Sequence, residues 1–276
     1  MTTAISDSAP ITMIDRVASL LKVFDGRCGL TLTEISRQAD LPRSSTHRIL
    51  QRLVELGWVE REGYHYSLGI RMFELGSQVV RRDRIHQASL PVVHTLHRST
   101  GLTVFLSAMV SSEVLHLERI GHWPEKGDSW RLGARQPAVH SAAGRALLAQ
   151  LTEADWPALD FSPPATAYGI RTLRELRRDL DRVRDRGGVA VDVQGCCAGV
   201  TVVAAPVGPP GSSTRAALSL CGPADSMPTQ EAGDTVRMAA MDIWYAASGM
   251  PRQSRRARPV LPSLARSGRT PVLSHG

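Results

Sequence analysis

Residues 31–56, TLTEISRQADLPRSSTHRILQRLVEL, decide the reading of the whole chain. Thr31 and Glu34 stand at the Thr-x-x-Glu spacing of a capping box, in which each satisfies an amide that the first helical turn leaves open. A short helix therefore starts here, with Ile35 and Ala39 turned inward. Asp40 and Leu41 make a tight turn. Pro42 has a preset φ and no amide hydrogen, which suits the first position of a second helix running to about Leu56. On that helix Thr46, Ile49, Leu50, Leu53 and Leu56 recur at three- and four-residue spacing and form a buried stripe. Arg43, Ser44, Ser45, His47, Arg48, Gln51 and Arg52 are left on the opposite face.

A short helix, a tight turn and a second helix with a basic, hydroxyl-rich outer face is the layout of a helix-turn-helix, whose second helix fits the major groove of DNA. An ordinary helical hairpin with a solvated face is the alternative. The next ten residues or so decide between them: Trp58 to Arg61 and Tyr64 to Leu68 read as two short strands joined at Glu62-Gly63, so the helix pair runs straight into a hairpin. Helix, helix, hairpin is a winged helix-turn-helix. The expected DNA-contacting set is Thr33, Arg43, Ser44, Ser45, Thr46, His47, Arg48 and Arg52, with His65 from the wing. Arginine can read guanine bidentately, and hydroxyls reach phosphates or either base type.

Composition sets the outer limits. A chain of 276 residues with 42% hydrophobic content has room for two domains and two ordinary cores. The net charge of +7 is unevenly spread: Arg252, Arg255, Arg256, Arg258, Arg266 and Arg269 fall in a tail without a single acidic residue, whereas the first 75 residues are nearly balanced. The DNA argument thus rests on the local run Arg37, Arg43, Arg48, Arg52 and not on the overall charge. The tail arginines either add sequence-independent phosphate contacts or are simply solvated. Cys28, Cys196, Cys197 and Cys221 form no C-x-x-C pair and have no histidine at finger spacing, so no metal site and no cofactor is expected. With neither a signal peptide nor a membrane-length apolar run, a reducing cytoplasm is the expected compartment and no membrane partner is expected.

In chain order, residues 1–11 are small and polar and read as disordered. A helix from about Thr12 to Asp25 packs across the two helices already described, so the DNA-binding domain spans 12–68. Residues 69–100 form a helical linker, Gly69 to Arg82 and then Ile85 to Ser99, with Pro91 bending or dividing the second helix. From Gly101 the period changes. Leu102 to Val110 and Glu113 to Ile120 make a hairpin about Ser111-Ser112, and Trp130 to Leu132 reads as a third strand. Ser141 to Leu151 is a small-residue helix whose Ala142, Ala143 and Gly144 leave room for something to approach its start. A charged helix, Thr172 to Arg186, is followed by strands Val189 to Val193, Val200 to Val207 and Arg215 to Leu220, then by a closing helix from Pro228 to Ser248. Residues 249–276 are Pro-, Arg- and Ser-rich and are assigned no fold.

Several stretches in this order are similar to those of the IclR family of bacterial transcription regulators. They are Leu-Thr-Glu-Ile at 32–35, Leu-Pro-Arg-Ser-Ser-Thr-His-Arg-Ile-Leu at 41–50, Leu-Gly-Trp-Val at 56–59 and Tyr-Ser-Leu-Gly at 66–69. In the second half they are His-Ser-Ala-Ala-Gly-Arg-Ala-Leu-Leu-Ala at 140–149, Gly199-Val200 leading into Ala204-Ala205-Pro206, and Ala-Leu-Ser-Leu-Cys-Gly-Pro at 217–223. The resemblance implies an α+β protein: a winged helix-turn-helix, a helical linker, and over 101–248 a GAF-like effector-binding domain with a mostly antiparallel sheet. It also implies an effector pocket walled by Leu132, Gly133, Ala134, His140, Ala143, Gly144, Asp192, Val202, Ser219 and Cys221. The chain departs from the family pattern where Gly195 replaces an expected glutamate and Val202 an often-found cysteine.

Each pocket residue has a blander reading. Asp192 is either a pocket group or an exposed strand-end charge. His140 either touches the ligand or caps the helix after it. Cys196-Cys197 are either small apolar fillers or a redox or metal feature.

The expected function is a ligand-responsive DNA-binding regulator, a repressor, acting as a homodimer or tetramer. One recognition helix covers only a few base pairs, so two must meet successive major grooves of a double-stranded operator. A small organic acid or related metabolite would act by favouring one arrangement of the two heads. Two alternatives stand beside it: an enzyme, for which no nucleophile elbow, zincin motif or phosphate-cradling loop is found, and a regulator whose second domain only oligomerises or binds a protein.

Overall fold

A computed structural model describes residues 12–122, 128–212 and 215–250, so the expectations for 1–11 and for nearly all of the basic tail lie outside the described residues. The chain divides at Arg82/Asp83 into two compact units.

The first unit comprises α1 (Met13–Lys22), β1 (Leu30–Thr31), α2 (Leu32–Gln38), α3 (Arg43–Glu55), β2 (Val59–Glu62), β3 (His65–Leu68) and α4 (Ile70–Arg82). The Thr31/Glu34 capping box forms as the spacing requires, with the Thr31 amide donating to the Glu34 carboxylate at 2.8 Å. Leu20, Phe24, Ile35, Leu50, Leu53, Val59 and Tyr66 close one core. Each such aliphatic side chain contributes roughly 1.5–3 kcal/mol by leaving water. Pro42 is the residue before the helix and not its first member, because its extended backbone (ψ 138°) is non-helical. Leu56, expected on the buried stripe, is 46% exposed, since the helix has ended at Glu55 and the chain is already turning. The wing turns at Gly63-Tyr64, one residue later than expected. The register pairs Glu62 with His65 and leaves two loop residues, and Gly63 takes the left-handed φ of +58° that this tight turn needs. The hairpin also gains a third strand, β1, through Leu30 against Tyr66 and Thr31 against His65.

The second unit comprises α5 (Arg84–Thr100), β4 (Thr103–Val110), β5 (Glu113–Ile120), β6 (Arg135–Pro137), α6 (Ala142–Leu148), α7 (Leu173–Asp185), β7 (Ala190–Val193), β8 (Val200–Pro206), β9 (Ala216–Pro223) and α8 (Thr229–Ser248). Its six strands lie in the order β6-β5-β4-β9-β8-β7, every neighbouring pair antiparallel. One face of the sheet, with Phe105, Val202 and Cys221, packs on α6 and α7; the other, with Val104, Val203 and Leu218, packs on α5 and α8. Helices on both faces explain why β4, β8 and β9 read as nearly unbroken apolar runs without alternation.

Three expectations change here. Trp130 is the end of a 3-10 turn, Asp128–Trp130, and the third strand is Arg135–Pro137, whose carbonyls and amides find partners on β5 at Glu113 to Leu115. Pro91 does not divide its helix, which runs from Arg84 to Thr100. Finally, Val93 and Leu96 of α5 are buried in the α8-side core, so the second half of the segment read as a linker is part of the second unit.

Candidate functional site

The first candidate surface is the outer face of α3. Thr46, Ile49, Leu50 and Leu53 bury one side of the helix. Geometry then forces Arg43, Ser44, His47, Arg48 and Gln51 outward, and all are exposed, while Ser45 is half-buried. Arg43, His47 and Arg48 make no ion pair among the described residues. Arg52 meets Glu55 at 2.8 Å across an exposed i,i+3 spacing, a contact weak enough to be exchanged. Thr33 is exposed on α2, and His65 is exposed beside the start of α2, opposite Thr31 in the sheet.

Thr46 does not belong to this surface. It is 0% exposed and its hydroxyl donates to the Pro42 carbonyl at 3.1 Å, which is the role its place in the apolar stripe dictates. Tyr64 is a surface residue that the sequence did not single out. It sits at the tip of the wing, 81% exposed, next to Arg61, whose guanidinium donates to the Gly63 carbonyl and lies 5.6 Å over the Tyr66 ring. The signal for it was Gly63, which marks the turn once the pairing is known.

The second candidate is the α6-facing side of the large sheet. Asp192, Val202 and Cys221 lie side by side on β7, β8 and β9, and Ser219 follows two residues along; all are buried. Ala134, Ala143 and Gly144 are buried too, while Leu132 is 59% exposed and Gly133 is exposed with φ +80°.

Asp192 is not a strand-end charge in water. It is buried, and its carboxylate accepts from Arg145 at 2.7 Å and from the Cys196 amide at 2.9 Å. Arg145, itself buried on α6, also approaches Asp179 of α7 at 2.8 Å and donates to the Val139 carbonyl at 3.2 Å; Arg182 completes the group on Asp179 at 2.9 Å. Two carboxylates and two guanidiniums thereby close on themselves. Burial would raise the Asp192 carboxyl, but the charge and hydrogen bond of Arg145, with Cys196, outweigh it and hold the group below the usual carboxylate value. Gly195, the departure from the family pattern, has its reason in this group: a Cβ there would stand 2.5 Å from the Asp192 carboxylate.

Gly144 does permit a close approach, but what approaches is the chain itself. A Cβ would lie 2.3 Å from the Ala138 carbonyl oxygen. His140 does not cap α6, since the Ser141 hydroxyl does that by accepting from the Gly144 amide. The His140 Nε2 instead donates to the Ser162 carbonyl at 2.8 Å, which leaves Nδ1 as a buried acceptor with no hydrogen-bond partner. The thiols of Cys196 and Cys221 are pushed up by burial, so neither is a ready thiolate, and all four cysteines are free. Among the described residues no cluster of His, Cys, Asp and Glu could hold a metal ion, and no helix is long and apolar enough to cross a membrane.

At its β4–β5 end the same face carries a group that the sequence did not single out either. The Ser107 hydroxyl meets His116 Nδ1 at 2.8 Å; the His116 and Phe105 ring centroids lie 4.8 Å apart; Trp130 is 5.8 Å from Phe105; and the Arg119 guanidinium, donating to the Trp130 carbonyl at 3.0 Å, lies 5.7 Å over the Phe105 ring. Residues three apart in a strand ordinarily face opposite ways. Here a bulge, with Leu106 opposite Glu118 but Ser107 opposite His116, returns His116 and Arg119 to one face. Burial lowers the His116 imidazole to about 4, with the Ser129 carbonyl opposing and Arg119 adding to the shift, so the ring is neutral at physiological pH.

Residues 13–63 match the family model described as the IclR helix-turn-helix domain, and residues 77–244 match that of the bacterial transcriptional regulator IclR C-terminal domain. The chain is 29% identical over 231 residues to the transcriptional repressor IclR of Escherichia coli (strain K12), covering 80% of this chain and 84% of that one. It is 32% identical over 216 residues to the HTH-type transcriptional regulator XynR of the same organism, covering 76% and 85%. Among solved structures, an IclR homolog from Microbacterium hydrocarbonoxydans complexed with 4-hydroxybenzoate superposes with a TM-score of 0.73 at 27% identity, covering 86% of this chain and all of that one.

Proposed function

The chain belongs to the IclR family of bacterial transcriptional regulators, which are DNA-binding proteins and not enzymes, and we propose that it is a repressor whose affinity for a duplex operator is set by a small-molecule effector held in the second unit. The observation that carries the DNA half is the division of α3 into a fully buried apolar stripe and an open face bearing Arg43, Ser44, His47 and Arg48. An exposed cation without an acidic neighbour has charge to give to phosphate, and a helix of this length fits a major groove. Arg43, Ser44, Ser45, His47, Arg48 and Arg52 are the recognition face, Thr33 and His65 flank it, and the protein works in the cytoplasm.

Two copies are needed to cover an operator, and α4 supports that. It carries Ile70, Phe73, Leu75 and Val79 yet buries no residue, and Met13 and Ile14 of α1 are also exposed. Apolar helix faces of this kind are stabilised by burial against another copy. The ligand half is supported by the buried, unpartnered His140 Nδ1, a polar atom of a kind that ordinarily finds a partner, and by the aromatic acid bound to the Microbacterium homolog.

A regulator that senses no metabolite is favoured by one observation, that the Asp192 carboxylate is already engaged by Arg145 and Cys196. Footprinting the full chain on genomic fragments at physiological salt tests the DNA reading: protection of a site of two half-sites about one DNA turn apart or a multiple is expected, and binding no better than to random duplex refutes it. Thermal shift against small carboxylates, amino acids and lactones separates the ligand readings, since a true effector raises the melting point with its concentration.

A further inference from the structure

We propose that the solvent face of α7 is where a second copy of this chain docks, the two helices running antiparallel so that the basic half of each meets the acidic half of the other. Leu176, Asp179, Leu180 and Val183 are the buried stripe of this helix. Opposite that stripe, at spacings of four, three and four, stand Arg174, Arg178, Asp181 and Asp185, all exposed. The other cations of α7 are taken within the chain: Arg177 pairs with Glu153, Arg182 with Asp179 and Arg184 with Asp181. Arg174, Arg178 and Asp185 have no ion-pair partner among the described residues, and the Arg184–Asp181 contact, exposed on both sides, is readily exchanged.

The order of these charges points to a second copy. A helix carries partial positive charge at its start and negative charge at its end, so acids are favoured early and bases late. Glu175, Arg182 and Arg184, on the flanks, follow that rule. The outer face reverses it, with both arginines in the first half and both aspartates in the second. An arrangement that is unfavourable for the helix by itself calls for an outside partner, and this one is its own complement. Turned end for end about its middle, between Asp179 and Leu180, the helix sets Arg174 opposite Asp185 and Arg178 opposite Asp181, and a twofold axis makes each pair twice. At a shallow crossing of about 20°, with axes about 8–10 Å apart, a helix of 13 residues, roughly 20 Å long, keeps both pairs in reach. A nucleic acid would be drawn to the arginines and repelled by the aspartates. The contact goes beyond the pairing of copies through α4 and rests on it only for the size of the product, since two pairs of chains joined through α7 make four. Single exposed ion pairs are weak, but a closed assembly of four carries two such helix contacts, and each raises the effective concentration for the other.

Sedimentation equilibrium of the full-length protein tests this. At about 50 mM salt the wild-type chain should show twice the mass that it shows at about 1 M, where the screening length falls to about 3 Å. Arg174→Glu with Arg178→Glu makes the face wholly acidic, and Asp181→Arg with Asp185→Arg makes it wholly basic. Each variant alone should form the doubled species at least about a hundredfold more weakly, as like charges now oppose one another. An equimolar mixture of the two should regain it, because an acidic face then meets a basic one along the whole helix. A loss of folding cannot give that recovery, and the salt dependence of the wild-type chain needs no variant. No doubling of the wild-type chain at low salt, variants that assemble as it does, or a mixture no larger than its components overturns the proposal. If the acidic variant loses affinity for random duplex DNA while the mass never changes, the arginines serve DNA and the proposal falls as well. Doubling from one chain to two, and not from two to four, upholds the α7 contact and refutes the pairing through α4.

Discussion

Arg145→Met removes the cation at the centre of the closed charge group while keeping much of the side-chain volume. Arg145 is buried, and it touches Asp192 at 2.7 Å, Asp179 at 2.8 Å and the Val139 carbonyl at 3.2 Å. Asp179 retains Arg182, but Asp192 keeps only the Cys196 amide. A buried carboxylate left in that position costs about 3–5 kcal/mol, and for a unit of this size the melting temperature should fall by roughly 10 °C or more. The pH dependence comes from the same group. In the native protein the Asp192 pKa is held below its unfolded value, so its contribution to stability is present above the ordinary carboxylate range and is lost as pH falls through the folded value. In the variant the deprotonated carboxyl is the costly form, so the gap between native and variant should narrow at acid pH. Adding Asp192→Asn to Arg145→Met should restore part of the loss. Urea unfolding followed by circular dichroism, at pH 7 and at pH 4.5, measures all three. A single-variant loss below about 1 kcal/mol, the level of an exposed pair, or a double variant no more stable than the single one, would refute the view that these charges depend on one another.

Other expectations concern separate parts of the molecule. Gly144→Ala places a methyl 2.3 Å from the Ala138 carbonyl oxygen; overpacking of this kind costs about 1–3 kcal/mol, measurable as a lower urea midpoint, whereas Gly76→Ala on α4, with nothing within 4 Å, should be neutral or stabilising. Arg48→Ala should weaken operator binding by gel shift and relax base choice, and a loss equal on all sequences would make Arg48 a phosphate contact. Tyr64→Ala, at the exposed wing tip, should lower operator affinity severalfold with no change in unfolding midpoint. His116 is depressed to about 4 in the folded chain; the unfolded state therefore binds the extra proton between about pH 6.5 and 4, and stability should fall across that window by up to about 3 kcal/mol, a slope that His116→Gln should flatten.

The first unit was legible almost to the residue because its signals are local. A capping box at Thr31 and Glu34, an apolar stripe at spacings of three and four, and a glycine at the wing turn are all satisfied by neighbours a few residues away. Its errors were likewise local, a turn placed one residue early and a last leucine on the wrong side of a helix end. Thr46 shows the limit of a list of polar residues, since the stripe to which it belongs had already placed it inside.

In the second unit the helices and all the strands but Arg135–Pro137 came out of composition and period, but which of their side chains meet did not. β9 inserts between β4 and β8, so Cys221 meets both Thr103 and Val202 across long stretches of chain, and no spacing rule announces that. Asp192 stayed open between a pocket group and a strand-end charge because its partner Arg145 is 47 residues away along the chain. A strand's period of two would put His116 and Arg119 on opposite faces, and only the offset pairing of β4 with β5 brings them to one. Local hydrogen bonding and hydrophobic period are written into neighbouring residues. The pairing of charges and the facing of side chains depend on which distant strands lie together, and that is decided only when the chain closes.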